Sequence, residues 1–235
     1  MEHFGDFYEE WMHKHEENLQ QLLSVPRDST HEPQQRALVA RAIDHITHYY
    51  AIKRAAAHAN VLALFSPTWL TSFEIANLWM TGWKPSIAFR LVDTLRRVVA
   101  PGMGLGGLSD AQLRRIEQMR AATRMEEEKV EMEMERQQMA LAGRRMVELS
   151  RITARARDGE VVEGVEEMVE VALEGVIKGL EKVVVSADCV RLKALKMVAE
   201  VLSPLQSVDF MAAALMLQIQ IRNLGKGKNN LKTCQ

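Results

Sequence analysis

Cysteine is scarce in this 235-residue chain: Cys189 and Cys234 are the two present, and they form no CxxC or Cys/His spacing. Neither a disulfide framework nor a thiolate zinc site is suggested, and the composition fits a reducing cytosol or nucleus. Surplus charge is missing too, since 30 basic and 31 acidic residues leave a formal charge of -1. No global field draws such a chain onto nucleic acid or anionic lipid, so any contact of that kind is local. Long apolar runs are lacking: even residues 55–73, which hold no Asp, Glu, Lys or Arg, are broken by His58, Asn60, Ser66, Pro67 and Thr68, so no segment reads as the roughly 18 apolar residues of a membrane span. The start, MEHFGDFYEEWMHKHEEN, has neither the basic opening nor the apolar core of a signal peptide. With no MGxxxS and no CaaX box, indirect recruitment is the expected route to any membrane.

Catalytic signatures are absent as well. There is no GxSxG, P-loop or GxGxxG, and the run GMGLGG lacks the Lys and Ser/Thr that phosphate cradling needs. Adjacent acids such as Glu126 to Glu128 have nothing apolar nearby to separate their pKa values, so they read as a solvated helix face. The expectation is a protein with no catalytic residue, no cofactor and no metal.

What is present is helical periodicity, with 47% hydrophobic residues to build a core. Phe4, Phe7, Tyr8, Trp11, Met12, Leu19, Leu22 and Leu23 form one stripe, ended by Pro26. Pro33 suits the first turn of a second helix, whose stripe of Leu38, Val39, Ala42, Ile43, Ile46, Tyr49 and Tyr50 continues through 55 to 59 until Ser66 and Pro67 stop it. Thr71 and Glu74 have capping-box spacing and open a helix expected to reach Met80. Gly82 is placed to take the left-handed conformation that ends it, and Pro85 to start the next helix, so TGWKPS reads as a tight corner.

PGMGLGG, Pro101 to Gly107, is the strong linker signal. A single domain over 1–225 is expected, with helical subdomains at about 4–100 and 108–224 joined by 101–107, and a disordered basic tail at 226–235. Ser109 and Gln112 cap a helix that runs to about Arg157, interrupted only by Gly143. It carries Met125, Met132, Met139 and Met146 at a seven-residue repeat, but the companions at i+3 are Glu128, Glu135, Ala142 and Leu149. That half-charged seam favours intramolecular packing over pairing with a second copy, and a homodimer stays open. Beyond it, valine-rich stripes suggest a break near Ser186 to Asp188, and Ser203 with Gln206 forms another capping box. No segment alternates like a strand. The fold class is all-α, a bundle of about eight to nine helices with one long protruding helix.

Few residues stand out as a site. His45 and His48, with His58 and Asp44 nearby, have a spacing that can bind a metal but read as surface or interface histidines. Arg144, Arg145, Arg151 and Arg155, with Arg157, circle the end of the long helix instead of forming a stripe for a DNA groove; they are candidate partner-binding residues. Glu74 falls on a helix expected to be central, where a lone carboxylate is costly, and Arg90 or Lys84 is its expected ion-pair partner.

Four blocks carry a resemblance: FYEEWMHKHEENLQQLL at 7–23, SPTWLTSFEIANLWMTGWKPSIAFRLV at 66–92, LSDAQLRRIEQM with EEEK at 126–129, and RLKALKMVAEVLSPLQSVDFMAAALMLQIQIRNLG at 191–225. Together they resemble the plant delay-of-germination (DOG) domain, with Trp11, Trp69, Glu74, Trp79, Gly82, Trp83 and Pro85 as structural signature residues. TGWKPS, MERQQMALAGRRMVELSR at 134–151 and ADCVRLKALK at 187–196 resemble the members of that family that specify pollen apertures.

The resemblance implies a non-enzymatic adaptor, cytoplasmic and recruited to plasma-membrane domains by the other proteins of an aperture complex. Some family members bind haem through histidines of the last helix; here the equivalent positions hold Gln218 and Arg222, so no haem is implied. The leucine zipper and basic region of the TGA factors in the same family are absent, so no direct sequence-specific DNA binding is expected. The alternatives are a nuclear transcriptional co-regulator of the seed-dormancy type and a module that encloses a lipid-like molecule between methionine- and valine-rich helices.

Overall fold

In the computed structural model, which describes residues 2–97, 105, 107–157 and 165–232, the apolar stripes bury themselves as all-α architecture, with no strand among the described residues. Helix α1 (Glu2–Ser24) turns Phe4, Tyr8, Trp11, Met12, Leu19 and Leu22 inward. Helix α2 (Glu32–Phe65) has Pro33 in its first turn and bends at Asn60, whose Oδ1 accepts from the Ala63 N–H at 3.3 Å and restarts the helix. Short α3 (Ser72–Ala76) and α4 (Ile87–Arg97) flank the tryptophan-rich corner. Then follow α5 (Asp110–Leu141), α6 (Arg144–Arg157), α7 (Val165–Val201) and α8 (Pro204–Lys232). The capping boxes at Thr71/Glu74, Ser109/Gln112 and Ser203/Gln206 form as their spacing predicts.

Helices α1, α2 and α8 pack on one another, and α7 lies between α2 and α5. One hydrophobic cluster takes Trp11, Ile46 and Phe89 from before the glycine-rich stretch and Ile116, Leu195 and Phe210 from after it. Residues 101–104 and 106 lie outside the described residues. Leu105 is fully buried and its N–H donates to the Leu95 carbonyl at 3.1 Å, so this point of the stretch is drawn into the common core of both halves.

The long helix differs from expectation in two ways. It breaks at Ala142 and Gly143, where α5 ends and α6 begins. It also lies along α7 instead of protruding, through a row two residues away from the methionines: Ile116, Thr123, Val130 and Gln137 are buried. Those positions are about 160° around the helix from the methionine row. Met125, Met132 and Met139 therefore face outward, 61%, 59% and 68% exposed.

Helix α7 runs unbroken through Ser186 to Asp188, because the Asp188 carboxylate pairs with cations instead of capping backbone. Helix α8 continues past Gly225, where the sequence suggests a disordered tail, and is helical to Lys232; residues 233–235 lie outside the described residues. A Cβ at Gly225 would overlap Thr71, so this glycine serves the close approach of α8 to the start of α3.

Candidate functional site

After α3 the chain reverses within four residues. The Trp79 N–H donates to the Gly82 carbonyl at 2.6 Å and the Gly82 N–H to the Trp79 carbonyl at 3.1 Å, leaving Met80 and Thr81 at the tip of a hairpin turn. Both tip residues have positive φ, 45° and 64°, a strained conformation for any side chain and most of all for β-branched Thr81. Gly82, expected to supply the left-handed residue, lies outside that region. Its role is space: a Cβ there would stand 2.8 Å from Arg191 Cζ.

Two buried cations hold the turn. Arg191, 0% exposed, donates to the Trp83 carbonyl at 2.6 Å, the Met80 carbonyl at 2.9 Å and the Trp79 carbonyl, and pairs with Asp188. Lys53, 2% exposed, donates to the Thr81 carbonyl at 3.0 Å and to Asp188 Oδ1 at 2.9 Å. The carbonyls of residues 79 to 81 thus accept from charges, which explains why α3 stops at Ala76 and does not reach Met80. Burial pushes the Lys53 ammonium down to about 8, Asp188 opposing it in part.

The indoles pin the same corner. Trp79 Nε1 and Lys84 Nζ both donate to Glu131 Oε1 of α5 at 2.8 Å, and Trp83 Nε1 donates to the Tyr50 hydroxyl at 3.0 Å. Pro85 is buried, and the Ser86 N–H donates to Glu127 Oε1 at 2.5 Å. Trp11 Nε1 donates to the His45 carbonyl at 3.2 Å, and the Trp69 ring sits 4.8 Å from that of Phe4. Each signature tryptophan is therefore occupied in packing.

Glu74 is buried, and its partner is neither Arg90 nor Lys84. Arg222 of α8 donates to both carboxylate oxygens of Glu74 at 3.3 Å, the Thr71 N–H donates to Oε2 at 2.8 Å, and the Tyr8 hydroxyl donates to Oε1 at 3.3 Å. Arg90 is exposed on α4, and Lys84 is taken by Glu131. Arg222 also pairs with Glu9 and lies 4.9 Å over the Tyr8 ring. A guanidinium so engaged has no lone pair for iron, and the Gln218 amide is a poor axial donor, so the residues present do not fit haem.

The histidines do not converge. His15 and His45 flank Trp11, ring centroids 4.6 and 4.9 Å away, and burial pushes them down to about 3 and about 4. His58 contacts Glu181 at 3.2 Å, and His48 packs on Phe7. Among the described residues no three His, Cys, Asp or Glu side chains are grouped to hold a metal.

Between the clamped turn and the Glu74–Arg222 pair lies a cavity of about 180 Å³. Tyr8, Tyr50, Lys53, Glu74, Thr81 and Gln218 supply its polar lining, and it reaches the surface at exposed Asn77 and Leu217.

The candidate partner-binding arginines all lie on α6. Arg144, Arg151 and Arg155 are exposed and, at 100° per residue, fall within about 40° of one another, opposite buried Leu149. These three make a stripe, interrupted by exposed Glu148; the circling spread read from the sequence is that of all five, with Arg145 about 100° and Arg157 about 140° around α6 from Arg144. Arg145 belongs to the same helix.

The roles of Lys53, Asp188, Arg191 and Arg222 as buried charges escape the sequence reading, although three of them leave a trace. Lys53 sits in register with Ile46 and Ala57, Arg191 with Ala187 and Ala194, and Arg222 with Leu215 and Ile219, so each cation occupies a core position of an apolar stripe.

Fold and site together define an all-α domain built around a turn clamped by buried charge. Residues 15–94 match the family described as DOG1: Seed dormancy control. The chain is 42% identical to Protein DOG1-like 4 of Arabidopsis thaliana, over 97% of this chain and 94% of that one. It is 29% identical to Protein ZW2 of Arabidopsis thaliana, over 95% and 96%. A weaker likeness, 25% identity over 59% of this chain and 28% of the other, joins it to the TGACG-sequence-specific DNA-binding protein TGA-2.1 of Nicotiana tabacum. The chain belongs to the DOG1-like family.

Proposed function

We propose that this protein is a non-enzymatic adaptor in pollen aperture formation, recruited from the cytoplasm to plasma-membrane domains by other proteins. The observation that carries the reading is the outward face of α5 and α6. Met125, Met132 and Met139 are more than half exposed, and the stripe of Arg144, Arg151 and Arg155 follows them along the chain. Clustered methionines suit adaptable partner surfaces, and arginines are favoured in interfaces. No helix among the described residues is long and apolar enough to cross a membrane, which suits recruitment through a partner.

The aperture assignment is supported by TGWKPS and by the blocks at 134–151 and 187–196, the first of which holds Thr81 and Gly82 of the turn and the last Asp188 and Arg191 of its clamp. Imaging a tagged copy in developing pollen tetrads tests it: patches at the plasma membrane are expected, and a protein confined to nuclei and absent from tetrads overturns it. The likeness to TGA-2.1 favours a second reading, a nuclear co-regulator, which that overturning result would support.

A further inference from the structure

The cavity beside the clamped turn has no part in the adaptor role, yet its polar lining is unbalanced. Lys53 has three N–H donors, two of them used by the Thr81 carbonyl and Asp188. The third has no acceptor among the described residues. The Thr81 hydroxyl is buried without a partner among the described residues. The Tyr50 hydroxyl accepts from Trp83 Nε1 and donates to no group among the described residues. The three residues that carry these donors, Lys53, Thr81 and Tyr50, are all among those lining the cavity, and two buried cations, Lys53 and Arg191, share the carboxylate of Asp188.

We propose that this cavity binds a small carboxylic acid with a ring-sized apolar body, its carboxylate seated at the Lys53, Thr81 and Tyr50 end. A negatively charged oxygen supplies the missing acceptor and the missing charge at once. At the other end Glu74 is already satisfied by Arg222, the Thr71 N–H and Tyr8, so it needs nothing from a ligand. The walls between are apolar, with Trp11, Trp83, Leu78, Leu91 and Phe210 among them. A volume of about 180 Å³ is close to that of an apolar cavity of about 150 Å³ that admits benzene, so the body is one ring or its aliphatic equivalent. The left-handed φ of 64° at Thr81 is the kind of local strain that gathers where a ligand is held.

Ligand-observed NMR and calorimetry on the full chain test this with phenylacetate as the probe and phenylacetamide as its neutral counterpart. Saturable binding of phenylacetate is expected, with the amide weaker by about tenfold or more. Thr81→Val, which keeps the shape and removes the hydroxyl, is expected to weaken the carboxylate roughly tenfold. Ala214→Leu, which fills the cavity from α8, is expected to abolish binding while the melting temperature is retained. Equal affinity for the amide overturns the charge assignment, and undiminished binding in Ala214→Leu overturns the location. No binding of either probe up to about 10 mM, which leaves only water in the cavity, overturns the proposal as a whole.

Discussion

The guanidinium of Arg191 stands where a side chain on Gly82 would have to go, a Cβ there meeting Cζ at 2.8 Å. Because that guanidinium also holds the carbonyls of Trp79, Met80 and Trp83, moving it releases the turn. Gly82→Ala is therefore expected to destabilise the fold by about 2 to 4 kcal/mol, read by urea denaturation. Gly175→Ala is the counterpart. Nothing lies within 4 Å of its Cβ position in the middle of α7, and up to about 1 kcal/mol of added stability is expected.

Asp188 is the one carboxylate between two buried cations, and replacing it leaves both without compensation. Asp188→Asn is expected to cost about 3 to 5 kcal/mol, measured by the same denaturation series. A loss below about 1 kcal/mol would show that the cations are neutralised by some other means.

The Lys53 ammonium, lowered from 10.5 to about 8 in the fold, gives the clamp a pH signature. Between those values the unfolded chain binds the proton and the folded one does not, so stability is expected to rise with pH from about 8 upward. Above pH 10 the tyrosines oppose this, because burial raises Tyr8, Tyr49 and Tyr50 and the unfolded chain ionises first. Lys53→Met is expected to flatten the rise between pH 8 and 10, which denaturation at stepped pH would detect.

His15 sets the acid limit. Its ring is buried beside Trp11 with neither nitrogen bonded among the described residues, and its folded value is about 3 against an ordinary 6.5. Below pH 6.5 the unfolded chain takes up a proton that the folded one refuses, so stability falls as pH drops toward 3. His45, at about 4, adds to the same slope. His15→Phe keeps the ring packing and is expected to shift the acid unfolding midpoint to lower pH; an unchanged midpoint would count against this cause.

These predictions rest largely on residues that the sequence conceals. The apolar stripe of α1 and the three capping boxes are local patterns, and they are legible because spacing alone determines them. The turn at Met80 and Thr81 is not, since its conformation is imposed by Arg191 and Lys53, which lie 111 and 28 residues away in the chain. The same cause hides the partner of Glu74, which is 148 residues distant. The methionine repeat of α5 illustrates the opposite error: a strict period is visible, but α7 covers the row two residues away from it.

The adaptor reading assigns partner binding to the outward face of α5 and α6. Pull-down from anthers with cross-linking, comparing the natural chain with an Arg144→Glu, Arg151→Glu, Arg155→Glu variant of matched melting temperature, tests that most directly. Partners recovered with the natural chain and reduced about tenfold or more with the variant are predicted. Equal recovery with both, or no partner with either, contradicts the account.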